Sequence, residues 1–256
     1  MAFEVKPIRK LSFMWSIVPV VLFLLFWEII ARCCIDTRSL LPPFSTVVLE
    51  FLDLMVDGTL LQHFAKSLGR VLTGFATGSL AGIITGVILG WRQAVNRAFH
   101  PIISLLLPIP ALGWLPIFML WFGIGELLPI AIIFVCSFFP VLYNTVTGIR
   151  SVDRDFINVA KTLGASESTI LLSVLLPLAL PNIFTGLRLE SGMAWRVIIA
   201  AEMVAIPTGI GALMMKAESL IRVDIVIVCL MVLSIMCFCF ERFFIYLEQK
   251  MTGGWF

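Results

Sequence analysis

Four ionisable residues fall inside or beside one long apolar segment in the last third of the chain: Arg188, Glu190, Arg196 and Glu202. An ionisable group at membrane depth is costly unless it faces protein or water. Arg188, Trp195 and Glu202 are spaced by seven residues, so they share one stripe of a helix. Arg196 lies beside this stripe, and Glu190 projects to the far side.

We predict that this stripe faces the interior of a helical bundle, where the two arginines would attract an anion. The alternative is a structural role for the same charges. In that case Arg188 extends to the membrane interface and Glu202 lies near the outer end of the helix.

Other patterns that support chemistry are absent from the sequence. The six cysteines show no ligand spacing, and the two histidines, His63 and His100, are too far apart for a metal site. We therefore predict that the cysteines are packing residues. The chain has no Gly-Lys pair and so no phosphate-binding loop of its own. The net charge of +2 does not favour a nucleic-acid partner.

The composition predicts an integral membrane protein. Of 256 residues, 60% are hydrophobic and 13% charged, with a mean hydropathy of +1.06, whereas soluble domains are about 45–50% apolar and about 25% charged. At roughly 20 apolar residues for each crossing, the chain has room for about five to seven spans. We predict a single membrane domain over residues 1–256.

Six segments are long and apolar enough to be transmembrane helices. They cover about 13–31, 71–90, 102–122, 127–149, 183–206 and 225–245. With the N-terminus inside, the cytoplasmic pieces carry ten Lys and Arg residues against six outside. This bias predicts that both termini are cytoplasmic, in an all-α multi-pass fold.

Glycine and proline predict how these spans pack. The second span repeats glycine every four residues from Gly74 to Gly90, which allows a neighbouring helix to approach closely. The third span is interrupted by proline and Gly113, and the fourth contains Pro129 and Pro140. We predict that the third and fourth spans are broken helices that line a path, with Pro110 and Trp114 along it. The alternative is that the kinks serve packing only.

A further amphipathic helix is predicted after Pro42 and Pro43, at the membrane interface. Ser45 is its predicted N-cap. The predicted apolar face of this helix contains Val48, Phe51, Leu52 and Met55.

The predicted cytoplasmic loop at about 150–181 has the pattern of two short helices. Asp153 or Asp155 would cap the first, Gly164 would end it in a left-handed conformation, and Ser166 would cap the second. The first helix carries an apolar edge made of Phe156, Ile157, Ala160 and Leu163. An exposed apolar edge indicates a partner, although the same edge would also serve packing against the chain's own bundle.

This loop resembles the signature of the binding-protein-dependent ABC importer permeases. That signature reads Glu-Ala-Ala, three residues, Gly, nine residues, then Ile-x-Leu-Pro. Ala160, Gly164 and Pro177 match it, with Val174 in place of Ile. Asn158 and Val159 stand where the family has Glu and Ala, so the match is weaker there while the spacing is kept.

Other stretches are similar to the nitrate/sulfonate/taurine branch of the family, from about Leu41 to Met203. They include Ser67–Arg70, Pro108–Pro110, Trp114–Pro116, Phe122–Gly125, Gly186–Arg188 and Trp195–Met203. The resemblance implies a type I (MetI-like) ABC importer permease fold. In such proteins the short helix before Gly164 is a coupling helix that docks in a cleft of a separate ATPase subunit.

The resemblance also implies partners and site residues. The partners would be ATPase subunits that bind ATP and Mg, a second permease copy and an external solute-binding protein, in the cytoplasmic membrane. No cofactor would bind this chain. The implied ATPase-contact residues are Asn158, Val159, Ala160, Leu163, Gly164, Ala165 and Pro177. The candidate pathway residues are Arg188, Trp195, Arg196, Glu202, Pro110 and Trp114.

The substrate implied is a small anion such as nitrate, bicarbonate, a sulfonate or taurine. Two other classes of protein remain as alternatives to an ABC importer permease. An ion-coupled carrier would show inverted repeats and acidic relay residues, and a membrane-embedded enzyme would need convergent nucleophiles or carboxylate pairs.

Overall fold

The computed structural model describes residues 11–33 and 40–252 and folds them almost entirely into helices. In chain order these are α1 (Leu11–Cys33), α2 (Phe44–Val56), α3 (Thr59–Trp91), α4 (Gln93–Leu106), α5 (Leu115–Phe122), α6 (Leu127–Arg150), α7 (Arg154–Thr162), α8 (Glu167–Ile170), α9 (Leu176–Ala205), α10 (Ile210–Ser219) and α11 (Val223–Thr252). A 3-10 turn, Ala111–Trp114, precedes α5, and a π-helical segment, Leu171–Leu175, joins α8 to α9.

The glycine repeat of α3 packs against α6 along its whole length. A Cβ atom built on any of the five glycines would lie 2.5–2.9 Å from an atom of α6. At Gly78 the nearest atom is the backbone oxygen of Phe134, and at Gly82 it is that of Phe138. Small residues thus bring two helix backbones together, as predicted for a bundle that gains little from hydrophobic burial inside lipid.

Helix α9 packs on the other side of α6 in the same manner. Gly148 of α6 meets Ala179 and Asn182, and Gly186 of α9 meets Asn144. Helices α3, α6 and α9 therefore form the centre of the molecule. Helix α11 covers α9 through an aromatic cluster in which Phe240 contacts both Phe75 and Trp195 edge-on.

Four helical segments of the described chain are long and apolar enough to cross a membrane: Thr59–Trp91, Leu127–Arg150, Glu167–Val204 and Val223–Met251. A fifth crossing is reached if a bent pair, Gln93–Leu106 with Ala111–Phe122, counts as one span. The two legs of this pair meet at 89°. The predicted break in the third span is therefore confirmed, because the segment at 102–122 is not one helix. It begins earlier and turns sharply where Pro108 and Pro110 interrupt the backbone hydrogen bonds.

The predicted break in the fourth span is wrong, because α6 is continuous from Leu127 to Arg150. Pro129 lies in its first turn, where the missing N–H has no intrahelical role. Pro140 lies mid-helix, and its own carbonyl oxygen accepts a hydrogen bond from Asn144 Nδ2 at 2.9 Å. The lost hydrogen bond at this proline does not interrupt the helix, which packs closely against both α3 and α9.

The predicted cap of α2 is also wrong. Pro43 precedes the helix, and Ser45 in its first turn donates from Oγ to Glu28 Oε1 at 2.8 Å instead of capping the helix. The buried side chains are Val47 and Leu54. These two side chains pack onto the protein's own core, and Phe51 of the predicted apolar face packs against it as well. The other predicted residues, Val48, Leu52 and Met55, lie together on an exposed face, and the position of this face at a membrane interface stays a prediction.

Candidate functional site

Helix α7 is fixed at both ends by the side chains and turn that the sequence predicts. Asp153 Oδ1 accepts from the backbone N–H of Asp155 at 3.0 Å, which caps the N-terminus. Gly164 has a φ of +79°, and the following Ala165 N–H donates to the Ala160 oxygen at 3.0 Å. This is the left-handed helix end that favours glycine. Ser166 caps α8 by accepting from Thr169 N–H at 3.2 Å.

One side of α7 packs against the chain's own bundle. Ile157, Ala160 and Ala165 contact a buried cluster contributed by α6, α8, the π segment and α9. The members of this cluster, named here the junction cluster, are Ile149, Ile170, Leu175, Ala179 and Ile183. The apolar edge that the sequence predicts for this helix is therefore divided between two faces of α7, one packed against the bundle and one exposed. Ala160, which the resemblance implies as an ATPase contact, lies half-buried against this chain, and its contact with an ATPase stays a prediction.

The other side of α7 presents apolar side chains to solvent. Phe156 is 56% exposed, Val159 59% and Leu163 82%. We call these three residues the α7 apolar surface. A helix that is anchored on one face and apolar on the other is typical of an interaction site. Asn158 and Gly164 are also exposed on this helix and its end.

Pro177 lies in the first turn of α9, directly after the π-helical segment. Because proline lacks an N–H, the carbonyl of the residue four positions earlier has no α-helical partner. A local π-helical arrangement before the proline accommodates this loss. The helical path from Glu167 to Val204 is therefore unbroken, and Pro177 lies inside it rather than at its start.

The residues of the predicted fifth-span stripe occupy three different environments. Arg188 is half-buried, with its Nη1 atom 3.5 Å from Glu248 Oε2 of α11. Trp195 is buried and stacks on Phe64 with ring centroids 6.5 Å apart. Arg196 is exposed, and its Nη1 lies 3.8 Å from the sulfur of Met193. Trp195 is thus a core residue, and a role for this stripe in a pathway stays a prediction.

Glu202 is the centre of a buried ionic network, which we call the Arg70 network. Its side chain is 0% exposed and accepts from Arg70 Nη1 at 2.7 Å, Ser67 Oγ at 2.8 Å and Gly211 N–H at 3.0 Å. Arg70, itself 2% exposed, also donates to the Thr208 backbone oxygen at 2.6 Å. A buried carboxylate with three donors is well satisfied.

Arg70 holds a second carboxylate, that of Glu126, just before α6. Its Nε and Nη2 atoms donate to the two Glu126 oxygens at 2.6 and 2.8 Å. These hydrogen bonds hold the pKa of Glu126 below its usual value. The side chain of Glu126 is 57% exposed, so water screens this half of the network more than the Glu202 half.

Two glycines make room for the Glu202 carboxylate. Gly209 has a φ of +114°, and a side chain there would occupy the position of the carboxyl group. Gly211 lies against Ile199 and the Glu202 Cβ. Sequence reasoning identified Glu202 but missed Arg70 and Ser67 as its partners. The available signal was the Ser67–Arg70 motif, which contains both of these side chains.

A cavity of about 290 Å³ lies between the bent pair and helices α6 and α9. Pro110 lines it, as predicted for a residue along a path, and so does Glu190, which the sequence placed on the far side of α9. Trp114 lies outside this cavity and stacks on Phe118 with centroids 5.9 Å apart.

These features define a multi-pass helical membrane protein with a short amphipathic helix, α7, anchored at one end of the bundle. Residues 78–253 match the model of the binding-protein-dependent transport system inner membrane component family, and the chain belongs to this family of ABC importer permeases.

Individual relatives agree with this assignment. The chain is 34% identical to the taurine transport system permease protein of Escherichia coli, over 95% of this chain and 94% of that one. It is 32% identical to the nitrate import permease protein of Synechocystis, with coverages of 95% and 94%. It is also 32% identical to the bicarbonate transport system permease protein of Synechocystis, with coverages of 91% and 86%. The predicted nitrate/sulfonate/taurine resemblance is confirmed.

The fold is similar to that of a solved transporter. The MetNI methionine ABC transporter in an inward-facing conformation has a chain that superposes with a TM-score of 0.57 at 16% identity. The superposition covers 70% of this chain and 91% of that chain. The predicted all-helical, MetI-like architecture is therefore confirmed at the level of the fold.

Proposed function

We propose that this permease couples ATP hydrolysis on partner subunits to solute import by docking α7 on an ATPase. The observation that carries the proposal is the α7 apolar surface, which faces solvent on a helix anchored to the bundle by Ile157 and Ala160. Exposed aromatic and aliphatic side chains of this kind are typical anchors of protein interfaces. Gly164, which is exposed at the end of the helix, would lie in the contact as well.

The proposed assembly contains two copies of this chain, two ATPase subunits and an external binding protein. It lies in the cytoplasmic membrane with six spans in each permease and both termini in the cytoplasm. ATP and Mg bind the ATPase subunits, and their closure moves the docked α7 helices. That motion shifts the bundle between inward-facing and outward-facing states.

The proposed substrate is a small solute of the class handled by the relatives, whose names specify taurine, nitrate and bicarbonate. In this proposal the external protein captures the solute and presents it to the α10 end of the bundle, opposite α7. The permease supplies the passage and its gates.

The test compares two carboxylates introduced on opposite sides of α7. Leu163→Glu places a charge in the α7 apolar surface, and Lys161→Glu places one on the polar side of the same helix. We expect Leu163→Glu to weaken ATPase binding by about ten-fold or more, the effect of truncating an interface anchor. Co-purification with the co-expressed ATPase measures this, and ATP-dependent uptake should fall in parallel.

Lys161→Glu is expected to retain both ATPase binding and uptake, because its side chain points away from the proposed contact. Size-exclusion profiles of both variants establish that they fold. The proposal is wrong if Leu163→Glu binds the ATPase as the parent does. It is also wrong if preparations free of any ATPase show uptake driven by an ion gradient, which would indicate an ion-coupled carrier.

A further inference from the structure

Glu190 is a buried acidic group that the proposed coupling does not use. Its residue surface is 8% exposed, and it lies in the middle part of α9 with its side chain at the wall of the 290 Å³ cavity. Within residues 11–33 and 40–252, its hydrogen-bond contact is the Cys136 thiol, with Sγ 3.5 Å from Oε2. A thiol is a weak donor.

The arginines closest to Glu190 in sequence have contacts elsewhere. Arg188 lies near Glu248 of α11, and Arg196 is exposed beside Met193. The described residues give Glu190 no ion pair. This contrasts with Glu202 on the same helix, which has three hydrogen-bond donors including an arginine. A charged carboxylate with so few partners at membrane depth is costly unless water or a ligand supplies the missing contacts.

The cavity around Glu190 has the size of a site for a small solute. Its volume of about 290 Å³ is at the lower end of the usual range for ligand sites, about 300–1,000 Å³. Its walls are mostly apolar and include Pro110, Leu112, Phe139 and Val197. An apolar cavity with one convergent charged group resembles a ligand site in which that group fixes the orientation of the ligand.

We infer that this cavity is a transit site for a solute with a cationic nitrogen, held by the Glu190 carboxylate. The inference rests on the proposed function and narrows its substrate class. Nitrate and bicarbonate carry only negative charge, so neither would supply the cationic partner that the Glu190 carboxylate lacks. An aminoalkanesulfonate such as taurine carries an ammonium group that fits the carboxylate, and so does a small cationic heterocycle.

The charge preference of the cavity can be measured without identifying the solute. Met193, which lines the cavity and is 41% exposed, is replaced by cysteine in the full-length chain. The exposed Cys33 and Cys239, together with Cys34, are replaced by serine, and labelling of the same protein without Met193→Cys is subtracted, because Cys136 also lines the cavity. Membrane vesicles are then treated with trimethylammonium-ethyl methanethiosulfonate or with sulfonatoethyl methanethiosulfonate, and each rate is divided by that of the reagent with a free thiol.

We expect the cationic reagent to modify Met193→Cys about ten-fold faster than the anionic one. One nearby negative charge attracts the cationic reagent and repels the anionic one strongly enough to produce a rate ratio of about this size. Glu190→Gln should bring the two normalised rates together. A control cysteine at Ile124, which is exposed and does not line the cavity, should give the same rate ratio with and without Glu190→Gln.

Two results would overturn the inference: equal normalised rates with Glu190 present, or a Met193→Cys thiol that reacts with neither reagent. Because labelling needs no bound ATPase, these results are independent of the docking test on Leu163. Loss of ATPase binding would therefore refute the proposed coupling while leaving the charge preference of the cavity measurable.

Discussion

Arg70 is the most highly connected charged residue of the described chain, and its partners come from three parts of the fold. Glu202 belongs to α9, Thr208 to the turn before α10, and Glu126 to the segment before α6. Taking one charge from a buried pair leaves the other uncompensated, which is more costly than never burying the pair. Arg70 therefore holds the α10 end of the bundle together.

Replacing Arg70 with methionine is expected to destabilise the protein by about 3–5 kcal/mol, because the Glu202 carboxylate stays buried without its partner. The measurement is the apparent unfolding midpoint of the detergent-solubilised chain. Arg196→Met is the matched control, since Arg196 is exposed, and it should leave the midpoint almost unchanged.

The double variant Arg70→Met with Glu202→Met removes both charges and should be less destabilised than the sum of the single changes. Equal midpoints for Arg70→Met and Arg196→Met would contradict the assignment of Arg70 as a structural anchor.

Sequence reasoning at the residue scale identified the costly charges but not their partners. The apolar context of Glu202 already indicated that this group needs compensation. Its partner lies 132 positions away in the chain, and no local pattern specifies which distant arginine meets it. Sequence patterns predicted the local structure correctly where the interacting groups are close together in the chain. Examples are the helix caps at Asp153 and Ser166 and the left-handed conformation of Gly164.

At the scale of elements, the interface of α3 with α6 depends on the absence of side chains. Gly78→Ala places a Cβ about 2.5 Å from the Phe134 oxygen, which is backbone and unable to move aside easily. Gly69 on the same helix has no atom within 4 Å of the corresponding position. We predict opposite effects for the same chemical change at these two sites.

Gly78→Ala should lower the unfolding midpoint, since the helices must separate to relieve the clash. Gly69→Ala should leave the midpoint unchanged or raise it, by up to about 1 kcal/mol of helix propensity. Thermal unfolding of both variants in one detergent measures the contrast. A similar decrease for both would show that loss of glycine itself, rather than the close approach, is responsible.

The presence of proline alone did not predict where the helices break. Pro108 and Pro110 lie between the two legs of the bent pair, where the chain turns by 89°. Pro140 lies in the middle of α6, at the wall of the cavity, and the helix continues through it. The same residue type therefore breaks one segment and not the other, and composition alone does not distinguish the two cases.

At the scale of the whole molecule, α7 connects a solvent-facing surface to the centre of the bundle. The junction cluster joins α6 and α9, and Ile83, Val87 and Trp91 of α3 pack against it. A displacement of α7 therefore reaches all three central helices through packed side chains, which is one physical route for coupling. The sequence indicated the apolar edge of α7 but did not show that it has two faces.

Substitutions at two adjacent residues of α7 should therefore have different effects, one on ATPase docking and the other on the transfer of motion from α7 to the bundle. Phe156 belongs to the α7 apolar surface, and Ile157 packs against the junction cluster. Phe156→Ala is expected to weaken ATPase binding. Ile157→Ala is expected to keep the ATPase bound and hydrolysing ATP while uptake for each ATP falls several-fold, because the helix moves without displacing the bundle. Co-purification, ATPase rate and uptake in the same proteoliposomes give the three readouts.

If both variants lose ATPase binding to the same degree, α7 acts only as a docking surface and the force reaches the bundle by another route.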